Sequence, residues 1–283
     1  MNLILETVQC IMAILIIIFD IVLIEYVMRA KTKKPTRKLR KVANIKKNKI
    51  NKKMLYEIIP KGKLNCDFQI LYFHGGAYSG GINQTHWNFV AQLLKDTNAN
   101  ILLPDYPLVP KNTYKDVFCM VDKIYEAYLT GKKFIIIGDS AGGGISLAFA
   151  QKLGEENKKM PEKVILISPW LDITMKNEEI DKIQEKDKIL NKNILKLAGN
   201  LYCGKDDPND YFVSPINGPM DKIDNVFIFT GTYDILNPDV AILKAKLSSE
   251  KLLVFEKQKA QHNWILNVDK NKEDYQKLLK TLL

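Results

Sequence analysis

The stretch KFIIIGDSAGGGISLAFA, residues 133–150, constrains the fold more than any other part of this 283-residue chain. It opens with a continuous apolar run, the pattern of a parallel strand covered on both faces. The run stops at Gly138, and an apolar helical pattern starts at Ala141. Between them lies Gly138-Asp139-Ser140-Ala141-Gly142, a Gly-x-Ser-x-Gly pattern at a strand-to-helix turn. A serine on so sharp a turn points its hydroxyl out at the top of the sheet. The helix that follows offers its free N–H groups to negative charge developing there. The same five residues elsewhere would be an ordinary tight turn. In this context they predict a nucleophile, with no role in the chemistry for Asp139.

The flanking sequence repeats the alternation of strand and helix. Apolar runs at 54–60, 68–74, 98–106, 163–168, 225–231 and 251–257 read as strands. Helical spacing appears at 84–95, 113–129, 141–153, 239–249 and 270–282. Alternation of this kind predicts an α/β fold with a mostly parallel central sheet covered by helices. The exception is 172–222, charged and without a strand pattern, with a helical piece around 187–202 and the turn-rich segment GKDDPND. It is expected to form a cap or lid inserted at the carboxyl edge of the sheet.

A serine hydroxyl needs a base, and the base needs an orienting acid. The chain has three histidines, His74, His86 and His262. His262 follows the last strand and precedes the last helix, the place from which a base reaches such a serine. His86 opens a helix and reads as a surface or packing residue. The acid belongs at the end of the preceding strand, where Asp234 sits; Asp239, the competitor, reads as the start of the next helix. The order Ser140, Asp234, His262 then puts three roles at three strand ends. YFHGGAYSGG, residues 72–81, supplies glycines where a chain must pass close to substrate. The backbone N–H groups of Gly75 and Gly76, with that of Ala141, are candidates for an oxyanion hole. His74 is expected to order this loop. Tyr78, Trp170, Leu171 and Trp264 are candidate pocket residues, each equally readable as core.

HGGAY and GDSAGG, with ISPWLD (167–172), YFVSP (211–215) and YDIL (233–236), resemble segments of the hormone-sensitive-lipase-like branch of the α/β-hydrolases. The resemblance runs from about residue 54 to the end. It implies a cofactor-free and metal-independent carboxylesterase acting on short- to medium-chain acyl or acetyl esters. It also implies Ser140, Asp234 and His262 as the triad and Gly75, Gly76 and Ala141 as the oxyanion hole. DYPLVPKN (105–112) departs from the family pattern: Pro107 stands where the family has arginine and Lys111 where it has glutamate. The loop packing is therefore expected to differ. A lipase, a lactone or amide hydrolase, and a non-catalytic tethered binding protein remain rival readings.

Charge and hydropathy set the N-terminal part aside. Residues 3–28 are mostly Ile, Leu, Val and Met, interrupted by Glu6, Asp20 and Glu25. Their length suits a single membrane-spanning helix, with a helix lying on the membrane as the alternative. Glu6 in the leading region argues against a cleaved signal. Residues 29–53 carry thirteen Lys or Arg and no acid; without them 29 basic residues face 32 acidic ones. The net charge of +10 thus describes a basic juxtamembrane tether, which places the 54–283 domain in the cytoplasm by the positive-inside rule and excludes a nucleic-acid footprint on that domain. The four cysteines show no metal-binding spacing. The expected partners are an ester substrate, small or lipid-like, the membrane, and a second copy in a homodimer.

Overall fold

The computed structural model describes residues 31–62 and 66–283, together with Glu6. Eight strands form one sheet: β1 (Ala43–Ile50), β2 (Lys53–Pro60), β3 (Phe68–Phe73), β4 (Asn100–Asp105), β5 (Lys133–Asp139), β6 (Lys163–Ile167), β7 (Val226–Gly231) and β8 (Leu252–Lys257). The spatial order is β1-β2-β4-β3-β5-β6-β7-β8. The β1–β2 and β2–β4 pairs are antiparallel, and the remaining pairs are parallel. This is the mostly parallel sheet that the alternation predicts.

β5 lies at the centre, and its run Phe134–Asp139 is buried throughout. The helix Ala141–Glu155 behind it is buried on nearly every side, which is why its sequence is small and apolar all round. One core fills the side of the sheet occupied by that helix and by Tyr114–Ile124; a second lies under Gln84–Thr97 and Lys272–Leu282. The 172–222 region forms the helices Glu179–Gln184 and Lys192–Cys203 and a short turn of helix at Pro215–Asn217, with no strand among its residues. It makes a helical cap over the carboxyl edge.

The basic segment needs a correction. Much of 29–53 is not a linker: Arg37–Val42 is a helix, and Ala43–Ile50 is β1 at the edge of the sheet. β1 pairs only with β2, and as an edge strand ANIKKNKI leaves Lys46, Lys47 and Lys49 exposed while Ala43 is buried and Ile45 and Ile50 are partly covered. No described helix is long and apolar enough to cross a membrane. The apolar stretch 3–28, with Asp20, lies outside the described residues apart from Glu6.

Candidate active site

The backbone of Ser140 has φ 54° and ψ −122°, a region that side chains rarely occupy. Tertiary bonds hold it there: its N–H donates to Ile167 O at 2.8 Å, and its carbonyl accepts from Trp170 N at 3.0 Å. The turn is tight enough that a methyl group at Gly142 would overlap the Phe73 carbonyl. The glycine after the serine is therefore demanded by β3, which runs beside β5.

His262 sits in the loop after β8, and its Nδ1–H donates to Asp234 Oδ2 at 2.9 Å. Asp234 follows β7 and is fully buried. Its other oxygen accepts from Leu236 N at 3.0 Å, which fixes the carboxylate. Burial works against charge on the imidazole, but the charge and hydrogen bond of Asp234, with Asp139 and Asp187 nearby, outweigh it and hold His262 above its ordinary pKa. With Nδ1 committed to the carboxylate, Nε2 is left as the proton acceptor. Ser140 and His262 line one cavity of about 920 Å³. Among the described residues no hydrogen bond closes between them. Asp239 is placed elsewhere: it lies in the first turn of Asn237–Lys246 and accepts from Asn177 Nδ2 at 2.8 Å. Burial pushes its carboxyl up to about 6.

The glycine loop follows β3, the strand beside β5, and lies against the serine turn. Gly76 lines the cavity, while Gly75 backs onto Asp139 and Ser140. The amides of Gly75, Gly76 and Ala141 donate to no backbone carbonyl among the described residues. His74 is fully buried and stacked on Tyr106 at 4.3 Å. Its Nδ1–H donates to Gly75 O at 2.7 Å, and Tyr106 Oη donates to the His74 carbonyl at 2.7 Å. Burial, reinforced by His86, lowers His74 to about 3, so it is neutral. Tyr106 belongs to the DYPLVPKN stretch. That stretch is held without the family's arginine–glutamate pair, by this bond, by Val109 N to Tyr78 O (3.0 Å), and by Asp105 accepting from Thr32 Oγ1 (2.5 Å).

The four candidate pocket residues fall elsewhere. Tyr78, Trp170 and Leu171 are core residues; Tyr78 is stacked between Tyr202 and Trp170. Trp264 packs under Lys257. None lines the cavity: Tyr78, Trp170 and Leu171 fill the core, and Trp264 packs against the margin of the second one. The walls come instead from Ile189, Leu190, Ile194 and Leu195 of the cap and from Lys31 and Lys33. The helical spacing of the cap residues was visible in sequence, but nothing local said which side faces the serine.

Asp139 is a hub. Tyr72 Oη donates to its Oδ1 at 2.6 Å, and Asn263 Nδ2 to its Oδ2 at 2.8 Å. His86 is the third partner. The Asn83 amide donates to His86 Nδ1 at 3.1 Å, which leaves the proton on Nε2, 3.3 Å from Asp139 Oδ2. His86 is thus buried, and it caps its helix while bonding the residue before Ser140. Burial opposes charge on Asp139, yet His86 and the Tyr72 hydroxyl hold it below the ordinary carboxylate range. Among the described residues no group of three or more His, Cys, Asp or Glu is arranged to hold a metal ion.

Sheet order, strained serine turn and residues gathered at the carboxyl ends of β3, β5, β7 and β8 define a class of α/β enzyme-like architecture. The model of the alpha/beta hydrolase fold family matches residues 70–266, and the chain belongs to that family. It is 30% identical over 184 residues to an esterase of Acinetobacter venetianus, covering 63% of this chain and 61% of that protein. It is 25% identical over 192 residues to an acetyl-hydrolase of Streptomyces hygroscopicus, covering 66% and 64%. The chain thus spans less than two thirds of the length of these relatives. The crystal structure of EstE5 soaked with p-nitrophenyl butyrate superposes with a TM-score of 0.77 at 24% identity, over 93% of this chain and 88% of that one. A hormone-sensitive lipase from a metagenome library gives 0.72 at 23%, over 89% and 84%. At these identities the two structures speak for the fold.

Proposed function

We propose that the protein is a serine hydrolase of carboxylic esters, cleaving short- to medium-chain acyl or acetyl esters through an acyl-enzyme. The observation that carries this reading is the shared cavity: Ser140 on its strained turn and His262, oriented by buried Asp234, both face it. His262 Nε2 takes the proton of Ser140 Oγ as the oxygen attacks the ester carbonyl. Asp234 holds the ring and stabilises the imidazolium that forms. The amides of Gly75, Gly76 and Ala141 are the donors assigned to the tetrahedral oxyanion. His262 then gives its proton to the leaving alcohol. In the second half it activates water, which releases the acid and restores Ser140.

The test is hydrolysis of p-nitrophenyl acetate, butyrate, octanoate and palmitate by the full chain beside Ser140→Ala. The expected result is turnover of the shorter esters and a loss of at least about 10³-fold in the variant. Turnover that survives Ser140→Ala would remove the nucleophile assignment.

A further inference from the structure

The chain at 31–34 is built into the rim of the cavity. Lys33 N donates to Ile82 O at 2.7 Å, and Ile82 N donates to Thr32 Oγ1 at 3.2 Å. Trp87 Nε1 donates to Lys33 O at 2.8 Å, and Gln84 Nε2 donates to Lys34 O at 3.3 Å. The approach is so close that a methyl group at Gly81 would overlap Thr32. Lys31 and Lys33 are therefore carried on a fixed backbone, and both line the cavity that holds Ser140 and His262.

The lining is lopsided. Ile189, Leu190, Ile194 and Leu195 form an apolar wall, whereas Lys31 and Lys33 form a cationic one. Among the described lining residues there is no carboxylate, and neither lysine has an ion-pair partner among the described residues. Two exposed lysines without ion-pair partners among the described residues, in the lining of this cavity, favour a substrate with a negative charge. The apolar wall favours one with a hydrocarbon part as well.

We propose that the cavity selects anionic amphiphilic esters, with Lys31 and Lys33 receiving a carboxylate or phosphate on the substrate. This rests on the esterase reading above and adds the substrate's charge. The anion has two possible sources, a soluble acid or a lipid headgroup. The apolar stretch 3–28 ends three residues before Lys31, a reach of at most about 11 Å.

The experiment measures kcat/KM for two matched pairs on the full chain. One pair is mono-p-nitrophenyl glutarate against p-nitrophenyl butyrate, with the charge on the acyl side. The other is 4-butyryloxybenzoate against phenyl butyrate, with the charge on the alcohol side. In the double variant Lys31→Gln, Lys33→Gln, the anionic-to-neutral ratio is expected to fall about tenfold for at least one pair. Lys31→Arg, Lys33→Arg should keep the ratio, and added salt should lower it in the unaltered chain. A second arm follows acid release from phosphatidylglycerol and phosphatidylcholine vesicles. Lysine-dependent preference for phosphatidylglycerol assigns a lipid source; preference confined to the soluble pairs assigns a free acid. Ratios and vesicle preference equal in the Gln variant and the unaltered chain would overturn the proposal. An unaltered chain that hydrolyses none of these esters would instead overturn the esterase reading.

Discussion

Asp139 accepts hydrogen bonds from Tyr72, His86 and Asn263, which come from three different elements. Asn263 is the neighbour of His262, so the residue beside Ser140 also steadies the loop that carries His262. Removing one partner of a buried charge network costs about 3–5 kcal/mol. Asp139→Ala is expected to lower unfolding stability by that order in urea. The carboxyl is held below its ordinary value, so its contribution is present above the unfolded value near pH 4 and is lost as pH falls through the folded one. The gap between Asp139→Asn and the unaltered protein should therefore be constant from about pH 5 to 7 and close in stronger acid. A gap independent of pH throughout would mean that charge is not what Asp139 supplies. The base follows the opposite sign. As the base proposed above, His262 would act when neutral, and it is held above its ordinary value, so activity should rise with pH through an apparent value above about 6.5. Asp187 is one of the charges that raise it, and it also accepts from Ile235 N at 2.9 Å. Its Oδ1 accepts from Ile189 N and Leu190 N at 2.8 and 2.9 Å, so Asp187→Asn keeps an acceptor for only one of the two sides; with the charge gone it should move the acidic limb of kcat/KM downwards. An unmoved limb would remove Asp187 from the electrostatics of the site.

At the scale of elements, β1 decides how the sheet ends. Its register runs from Ala43 opposite Pro60 to Ile50 opposite Lys53, so it covers the whole of β2. Its lysines then face solvent on an edge that would otherwise invite another strand. A chain starting at Met54 would leave the edge of β2 bare and would also lose the helix Arg37–Val42, whose Leu39 is fully buried. Such a truncation is expected to aggregate, or to unfold at clearly lower urea than a chain starting at Lys31. Equal midpoints and equal solubility would show β1 to be dispensable. The cap makes a second test. Ile194 is half-buried on Lys192–Cys203 and lines the cavity. Ile194→Glu should reduce kcat/KM for p-nitrophenyl octanoate more than for the acetate, by about fivefold, the worth of roughly one buried methylene or slightly more. Equal losses on both esters would place the acyl chain elsewhere.

Across the whole molecule, the cavity is assembled from parts far apart in sequence: the 31–33 segment, the loop after β3, the serine turn, the cap and the loop after β8. The strand–helix alternation, the serine turn and the chain order Ser140, Asp234, His262 at successive strand ends are legible in the sequence alone. Those signals are local, because a parallel strand buried on both faces must be apolar and a turn as tight as Gly138–Gly142 must use glycine. β1 is not legible there, since a lightly buried edge strand can be written almost entirely in lysine and asparagine without an alternating pattern. Nor could the sequence separate Trp170 and Tyr78 from the pocket, because an aromatic ring looks the same in sequence whether it fills a core or faces a substrate. The roles of His86 and Asn263 are equally tertiary. Each is a polar residue whose partner, Asp139, stands 53 or 124 positions away. Only the closing of the sheet brings them to one carboxylate, and only the return of the 31–34 segment across Gly81 sets two lysines in the lining of the cavity that holds Ser140.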